Sequence, residues 1–219
     1  METLTGNLLV ASSLMDDPVL ARGVCLLVHD DEEAVIGVML NRPMLPNPKA
    51  LMSMLSHLSG QLDDDEASPS SDSTENRLGS VTKSQHHSFS PMPDQYSPAG
   101  LVHFGGPLSG PIVAIHQLSE YAEAETGHGI YVAAQKQHLE GLVKKQPGPY
   151  RLIIGHLGWE PARLQGEMDA GLWHLVPATA EAVFENSDQM WPRLIRRATS
   201  RSVARWVGIE DQAGSAELN

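Results

Sequence analysis

Short apolar runs separated by polar turns occupy both ends of the chain, and their spacing predicts a mixture of strands and helices. Residues 24–28 and 34–40 are apolar throughout, which is typical of buried strands. The polar turn at 30–33 is too short for a crossover and indicates an antiparallel hairpin. We predict strands over residues 7–12, 24–29, 34–40, 101–104, 112–116, 129–132, 150–155 and 172–176.

Helical periodicity appears between these strands. Leu51, Met54, Leu55 and Leu58 have the i, i+3, i+4, i+7 spacing of an amphipathic helix. Asp17 followed by Pro18 is a typical helix start, because aspartate caps free N–H groups and proline tolerates the first turn. We predict helices over residues 18–22, 49–58, 135–144, 161–170, 179–184 and 189–198. Gly158 and Trp159 are predicted as a turn before the helix that Pro161 opens.

The composition changes between residues 60 and 99, where acidic residues, serine and proline replace nearly all aliphatic residues. Such a segment cannot bury enough apolar surface to offset the entropy of ordering it. We therefore expect a flexible surface insert at 60–99, which is either inert or a regulatory or docking segment. A polar C-terminal tail is expected at 207–219.

Charge and composition narrow the classes of partner. Of the 219 residues 41% are hydrophobic, enough for a sizeable core, and the net charge is −12. This charge repels phosphate backbones and anionic lipid, so nucleic acid and membranes are not expected partners. A local basic patch near the C-terminus is the exception; its members are Arg193, Arg196, Arg197, Arg201 and Arg205.

Three observations place the chain in the cytoplasm as an expectation. The first residues lack the basic region and apolar run of a signal peptide. No apolar stretch approaches the roughly 20 residues that span a bilayer. The single cysteine, Cys25, excludes an internal disulfide and lies in an apolar run, where a small core side chain is a more common role than a catalytic thiol.

The sequence contains no motif that specifies a reaction or a cofactor. It has no P-loop, no G-x-G-x-x-G after a strand and no G-x-S-x-G nucleophile elbow. None of the ten histidines forms an H-x-x-x-H pair, so neither a metal nor a cofactor is expected. Histidines do recur at or near the ends of predicted strands, where they could converge; these are His29, His103, His116 and His156.

Asn41 and Arg42 form the most distinctive polar pair, because they follow an apolar strand directly. The planar guanidinium fork suits a carboxylate or a phosphate, and the same donors could instead tie down a neighbouring loop. Trp159 is a core anchor or a stacking platform. The residues that we expect at a ligand site are Asn41, Arg42, His103, Gly105, Gly106, His116, Gly158 and Trp159.

Taken in order, several of these segments resemble the bacterial YqgE/AlgH family. The resemblance rests on Gly6-Asn7-Leu8-Leu9-Val10-Ala11-Ser12 with Met15-Asp16-Asp17-Pro18, Gly37-Val38-Met39-Leu40-Asn41-Arg42-Pro43, Phe104-Gly105-Gly106-Pro107 with Ile115-His116, Gly155 and Gly158-Trp159 with Pro161, Leu164 and Glu167, and Ala182, Phe184 and Trp191. The chain departs from the family pattern at Ser13, at residues 162–165 and in the length of its insert.

The resemblance implies an α+β fold in which helices flank a mixed, partly antiparallel, barrel-like sheet. Because its motifs lie on both sides of the insert, it also implies a single AlgH-like domain over residues 1–219. It supplies no enzyme activity, and the name AlgH carries a proposed link to transcriptional regulation.

Three hypotheses about function follow. The first is a non-catalytic cytoplasmic binding or regulatory protein, with a groove around Asn41–Arg42 and Gly105–Gly106 for a small anionic ligand or a protein partner. The second is an enzyme of unknown reaction that uses strand-end histidines beside Arg42. The third is a transcriptional regulator that contacts DNA through the C-terminal arginines. The sequence does not fix the oligomeric state.

Overall fold

The computed structural model describes residues 3–44, 49, 51, 52 and 101–207, with the backbone alone for residue 101 and residues 201–207. The predicted insert at 60–99 and residues 208–219 of the predicted tail lie outside the described residues. The predicted helix at 49–58 is described only at Lys49, Leu51 and Met52, which are helical.

Eleven strands and four α-helices are described. The strands are β1 (Asn7–Ala11), β2 (Val24–Asp30), β3 (Val35–Met39), β4 (Pro43–Met44), β5 (Leu101–Phe104), β6 (Val113–His116), β7 (Ala124–Gly127), β8 (Ile130–Ala133), β9 (Tyr150–Ile154), β10 (Leu157–Trp159) and β11 (Trp173–Pro177). The helices are α1 (Lys136–Lys145), α2 (Pro161–Asp169), α3 (Ala180–Val183) and α4 (Ser187–Val207). A 3₁₀ helix covers Ser119–Tyr121.

The strands form two sheets. The first is antiparallel throughout and has the order β10-β3-β2-β1-β11. The second has the order β4-β5-β9-β6-β8-β7, in which β5 and β9 run parallel and the other pairs antiparallel. The α+β class with a mixed sheet is therefore confirmed, and so is the hairpin of β2 and β3. The barrel-like closure is not confirmed, because the described strands form two open sheets.

Alternation of side chains along the strands divides the interior into three apolar clusters. Leu8 and Val10 of β1 point into a central cluster between the two sheets, which α4 completes with Met190 and Leu194. On the opposite face of the first sheet, Leu9 packs in a second cluster that α2 covers. A third cluster lies between the second sheet and α1. Both sheets thus carry a helix on their outer face and share the central core.

The predicted helix at 18–22 is wrong, since these residues form turns. The capping signal itself is present, because the Asp17 carboxylate accepts the N–H groups of Val19 and Leu20 at 2.8 and 3.0 Å. The helix does not continue because Arg22 adopts a left-handed conformation with φ of 57° and Gly23 follows directly. Too few residues remain between the cap and this stop to form an α-helix.

The predicted turn at Gly158–Trp159 is also wrong. These residues belong to β10, where Gly158 pairs with Ile36 of β3. The chain turns earlier, at Gly155, whose φ of 78° is unfavourable for residues with a Cβ. Sequence periodicity missed the short strands β4 and β7, and it ended the last helix at 198 whereas α4 extends to Val207, the first residue of the predicted tail.

Two glycine segments interlock where the chain passes from one sheet to the other. The N–H of Gly105 donates to the carbonyl of Ile154 at 2.7 Å, and its own carbonyl accepts from Met39 at 2.9 Å. A Cβ on Gly105 would lie 2.2 Å from the Gly155 oxygen, and one on Gly155 would lie 2.3 Å from the Gly106 oxygen. No larger residue fits this crossing without moving the backbone of both segments.

None of the helices formed by the described residues has the length and apolar character needed to cross a membrane.

We predict that Gly155→Ala lowers the free energy of unfolding by about 2–4 kcal/mol, from left-handed strain and overpacking together. Urea denaturation measures the change. Gly148→Ala is the matched control, because nothing lies within 4 Å of the added Cβ, and it should change stability by no more than about 0.5 kcal/mol. Equal losses in the two variants would contradict the proposed close approach at the crossing.

Candidate functional site

Asn41 connects the strand that precedes it to the loop around Arg22. It is 8% exposed. Its side-chain oxygen accepts the N–H of Val24 at 3.0 Å, and its side-chain nitrogen donates to the Arg22 carbonyl at 2.8 Å. Both polar atoms of the amide therefore already have backbone partners inside the protein.

Arg42 is half-buried and donates to the same loop. Its Nη2 donates to the Ala21 carbonyl at 2.6 Å and to that of Val19 at 3.4 Å, and its Nη1 reaches its neighbour's carbonyl at 3.3 Å. Burial lowers the pKa of the Arg42 guanidinium. These contacts match the loop-fixing alternative that the sequence left open, and a ligand role for Arg42 stays a prediction.

The structure brings the predicted glycines close to Arg42 through the backbone. Phe104 donates its N–H to the Arg42 carbonyl at 2.8 Å, which places Gly105 and Gly106 next to it. Trp159 packs elsewhere, edge to face with Trp173 at 6.1 Å between ring centroids. Both indole N–H groups donate to Oε2 of Glu167, at 3.1 and 2.9 Å, so Trp159 anchors α2 to the first sheet.

His103 and His116 lie on opposite faces of the second sheet. His103 faces the central core, where it contacts Ser187 at the start of α4. His116 faces the α1 side, edge to face with Tyr121. His29 is exposed at the β2–β3 hairpin and pairs with Asp31 at 2.7 Å. These three histidines do not share one site, so the convergence expected of them is not observed, and the enzyme hypothesis stays a prediction.

A buried cation that sequence reasoning missed lies beside His103. Arg151 is 1% exposed, and its guanidinium donates to the carbonyls of Val183, Leu40 and Glu185. Its Nη1 lies 2.6 Å from Nε2 of His103. The sequence feature that could have revealed it is a single charged residue inside an otherwise apolar strand. A charge buried at such a position requires several hydrogen-bond partners, which points to a structural centre.

The chemistry of the Arg151–His103 contact follows from the donors present. A guanidinium only donates, so Nε2 of His103 accepts and the ring proton lies on Nδ1. Burial lowers the pKa of Arg151 to about 10, and the Glu185 carboxylate limits the decrease. Both side chains are buried, so in this structure the pair makes its contacts within the fold, and a ligand role for His103 stays a prediction.

His116 is fully buried and its Nε2 has no hydrogen-bond partner in the structure as described. Its Nδ1 accepts the N–H of Leu118 at 3.2 Å, which places the ring proton on Nε2. Burial, reinforced by the nearby His138, lowers the pKa of His116. The imidazole is therefore held in its neutral form by an apolar, aromatic surrounding.

A groove between α3 and α4 contains three of the five arginines of the basic patch that the sequence indicated, Arg193, Arg196 and Arg197. Its volume is about 430 Å³. The residues that line it are Thr179, Glu181, Ala182, Glu185, Met190, Arg193, Leu194, Arg196, Arg197 and Ser200. None of the eight predicted site residues is among them. The sequence placed the arginines on one helix but gave no sign of the wall that α3 supplies.

The charges in this groove are only partly matched. Arg193 pairs with Glu181 at 3.2 Å and with Glu185. In the part of the chain that the structure describes, the guanidinium groups of Arg196 and Arg197 make no hydrogen bond or ion pair. Among the described residues the groove thus combines three arginines with two glutamates, a net charge of +1 on a molecule of net charge −12.

The hydroxyl groups at the groove serve the helices. Thr179 caps α3 by accepting the N–H of Ala182 at 3.3 Å. Ser200 donates to the Arg196 carbonyl at 2.8 Å. Among the described residues no histidine lines the groove, and no three metal-ligating side chains lie close enough together to hold an ion. The arrangement suits electrostatic binding of an anion.

Comparison with known proteins gives a consistent result. The family model described as AlgH-like (DUF179) matches residues 8–202. A UPF0301 protein of Streptomyces avermitilis is 27% identical over 206 residues, which cover 90% of this chain and 88% of that protein. A UPF0301 protein of Caulobacter vibrioides is 25% identical over 203 residues, covering 90% of this chain and 87% of that protein.

Two solved structures have a similar fold. The AlgH protein from Pseudomonas aeruginosa superposes with a TM-score of 0.58 at 20% identity, covering 98% of this chain and 97% of that protein. A protein from Corynebacterium diphtheriae superposes with a TM-score of 0.59 at 19% identity, covering 90% and 88%. At this identity the likeness concerns the fold alone.

We predict that Arg151→Met lowers the free energy of unfolding by about 3 kcal/mol or more, because it leaves several buried carbonyl groups without a donor. Arg163→Met is the control, since that arginine is exposed and pairs, among the described residues, with Glu167 alone, so it should contribute at most about 1 kcal/mol. Chemical denaturation at neutral pH measures both. A loss no greater than that of the control would contradict the stabilising role of Arg151.

We predict that His116 makes the protein sensitive to acid. Because its pKa is lowered in the folded state, the unfolded chain binds more protons below about pH 6.5. The free energy of unfolding should have its full value above this pH and should decrease as the pH is lowered through it. In His116→Gln, the free energy of unfolding measured between pH 7.5 and 5 should fall less steeply than in the wild type. Parallel slopes would show that His116 does not titrate on unfolding.

Proposed function

We propose that this chain, which belongs to the AlgH-like family, is a non-catalytic binding or regulatory protein whose groove between α3 and α4 takes a small anionic ligand. The observation that carries the proposal is the pair Arg196 and Arg197, which have no side-chain partner among the described residues, beside a third arginine that is held by two glutamates. Guanidinium groups bind carboxylate and phosphate through two parallel hydrogen bonds.

The groove has properties of a prepared site. Glu181 and Glu185 hold Arg193 in place, so one cation is fixed before any ligand arrives. The wall is also fixed, since Arg151 donates to the carbonyl groups of Val183, at the end of α3, and of Glu185, in the connection to α4. A fixed site loses less entropy on binding than a mobile one.

Binding without catalysis is favoured because the groove lacks an activated nucleophile. The Thr179 hydroxyl caps a helix, and the Ser200 hydroxyl donates to a backbone carbonyl. Neither contacts a general base among the described residues, as nucleophilic catalysis requires.

One observation supports the DNA-binding alternative. The five C-terminal arginines all lie on one helix, with Arg201 and Arg205 following Arg193, Arg196 and Arg197 along α4. Against it, Glu181 and Glu185 lie in the same groove, and the net charge of −12 repels a phosphate backbone. We therefore treat DNA as a competitor to be tested.

We predict that replacing Arg196 and Arg197 together by glutamine weakens binding of small anions. Loss of a hydrogen bond to a charged group corresponds to about 10- to 100-fold in dissociation constant. Titration calorimetry and thermal shift with inorganic phosphate and small carboxylates measure the effect. The helix should keep its stability, because both side chains are exposed.

The control is Arg163→Gln, which removes an exposed arginine from α2, on the opposite face of the first sheet from α4. Binding lost in Arg42→Ala and retained in the double variant would favour the site predicted from the sequence. Salt-dependent binding of duplex DNA that the double variant loses would favour the DNA-binding alternative.

A further inference from the structure

We infer that the ligand of the groove between α3 and α4 is a compact organic acid with an apolar body, such as an aliphatic carboxylate. This inference rests on the proposed function and adds the chemical class of the ligand. It depends on how apolar and cationic residues are arranged along α4, on the two glutamates, and on the volume of the groove.

The apolar part of the lining comes from residues that also belong to the central core. Met190 and Leu194 are one turn apart on α4 and are 0% and 5% exposed. Ala182 of α3 is half-buried and packs against the same cluster. All three residues line the groove, and of them Leu194 and Ala182 keep some exposed area. An apolar ligand group placed there would lose contact with water at little cost in reorganisation.

The cations lie directly beside this apolar surface. Arg193 and Arg197 follow Met190 and Leu194 by three residues each, so all four share one face of α4. The arginines are exposed, whereas the two apolar residues are buried. A molecule that enters the groove therefore meets charge at the opening and apolar surface below it. This order matches an amphiphile whose acid group remains at the mouth.

The glutamates limit the charge of the ligand. Glu185 and Glu181 both pair with Arg193, so the described lining carries a net charge of +1, which Arg196 and Arg197 present to an incoming anion. The side chain of Glu181 is 79% exposed and would face any polyanion that extended beyond the groove. Like charges at such a position oppose binding. One carboxylate or one phosphate fits this balance, and a nucleic-acid backbone does not.

The size of the groove agrees with a small molecule. Its volume of about 430 Å³ is near the lower end of ligand cavities, which range over roughly 300–1,000 Å³. A groove of this size takes a short acyl or aromatic body. It is too small to bury the face of a peptide helix.

The test is a homologous series of straight-chain carboxylates from acetate to octanoate, titrated against the full chain by calorimetry. Each methylene that enters the groove should tighten binding by up to about fourfold, until the groove is filled. Hexanol, which has the same body as hexanoate without the acid, should bind at least tenfold more weakly. Hexanoate should lose its affinity when Arg196 and Arg197 are both replaced by glutamine.

A second measurement locates the apolar body without any substitution. In a spectrum of ¹³C-methyl methionine, the Met190 signal should shift with hexanoate and stay in place with acetate. Met168 is the internal control, because it packs in the cluster that α2 covers on the far face of the first sheet.

A third measurement uses a substitution in the groove. Ala182→Leu, which adds bulk to the groove without changing its charge, should weaken the binding of hexanoate and leave the binding of acetate unchanged.

The outcomes separate this inference from the proposed function. If every carboxylate binds equally and its binding depends on Arg196 and Arg197, the groove is a simple anion site, and the inference that the ligand has an apolar body is wrong. If no anion depends on these arginines, the proposed function itself fails. If hexanol binds as well as hexanoate, the acid group has no role and both statements are overturned.

Discussion

The guanidinium of Arg151 connects the parts of the molecule that the chain itself keeps apart. It lies on a strand of the second sheet, yet it donates to Leu40 after β3 of the first sheet and to Val183 and Glu185 around the connection between α3 and α4. Taking such a cation out of water is costly unless its donors are satisfied. The decrease of its pKa to about 10 reflects that cost, and the group remains charged at neutral pH. Removing the guanidinium would leave carbonyl groups of three elements without a donor.

The two sheets are joined by covalent crossings as well as by this hydrogen-bonded centre. At one crossing Gly105 and Gly155 approach so closely that neither tolerates a side chain. The central apolar cluster then fills the space between the sheets, with Leu8 and Leu26 from the first and Ile115 and Ile153 from the second. The groove between α3 and α4 is a consequence of this arrangement, because its floor is the edge of the central cluster and its wall is held by Arg151.

The groove and the sequence-predicted site illustrate two ways of using arginine. Arg42 has carbonyl partners within the protein, so its donors are occupied by the fold. Arg196 and Arg197 have no such partners among the described residues and point into a cavity with an apolar floor. An arginine at a strand end and an arginine on an exposed helix face look equally available in a sequence. Only the positions of neighbouring carbonyl and carboxylate groups distinguish them.

The sequence by itself determined the secondary structure where periodicity and turn chemistry agree, as in β1, β2, β3, α1 and α2. It also determined the α+β class and the family, through glycine, proline and tryptophan motifs that local geometry requires. It could not determine the stop at Arg22, the strand at Gly158 or the burial of Arg151, because each depends on segments distant in the chain. The candidate groove belongs to this second group. The arginines of α4 are visible in the sequence, but a cavity exists only where two elements pack and leave space, and tertiary structure alone decides that.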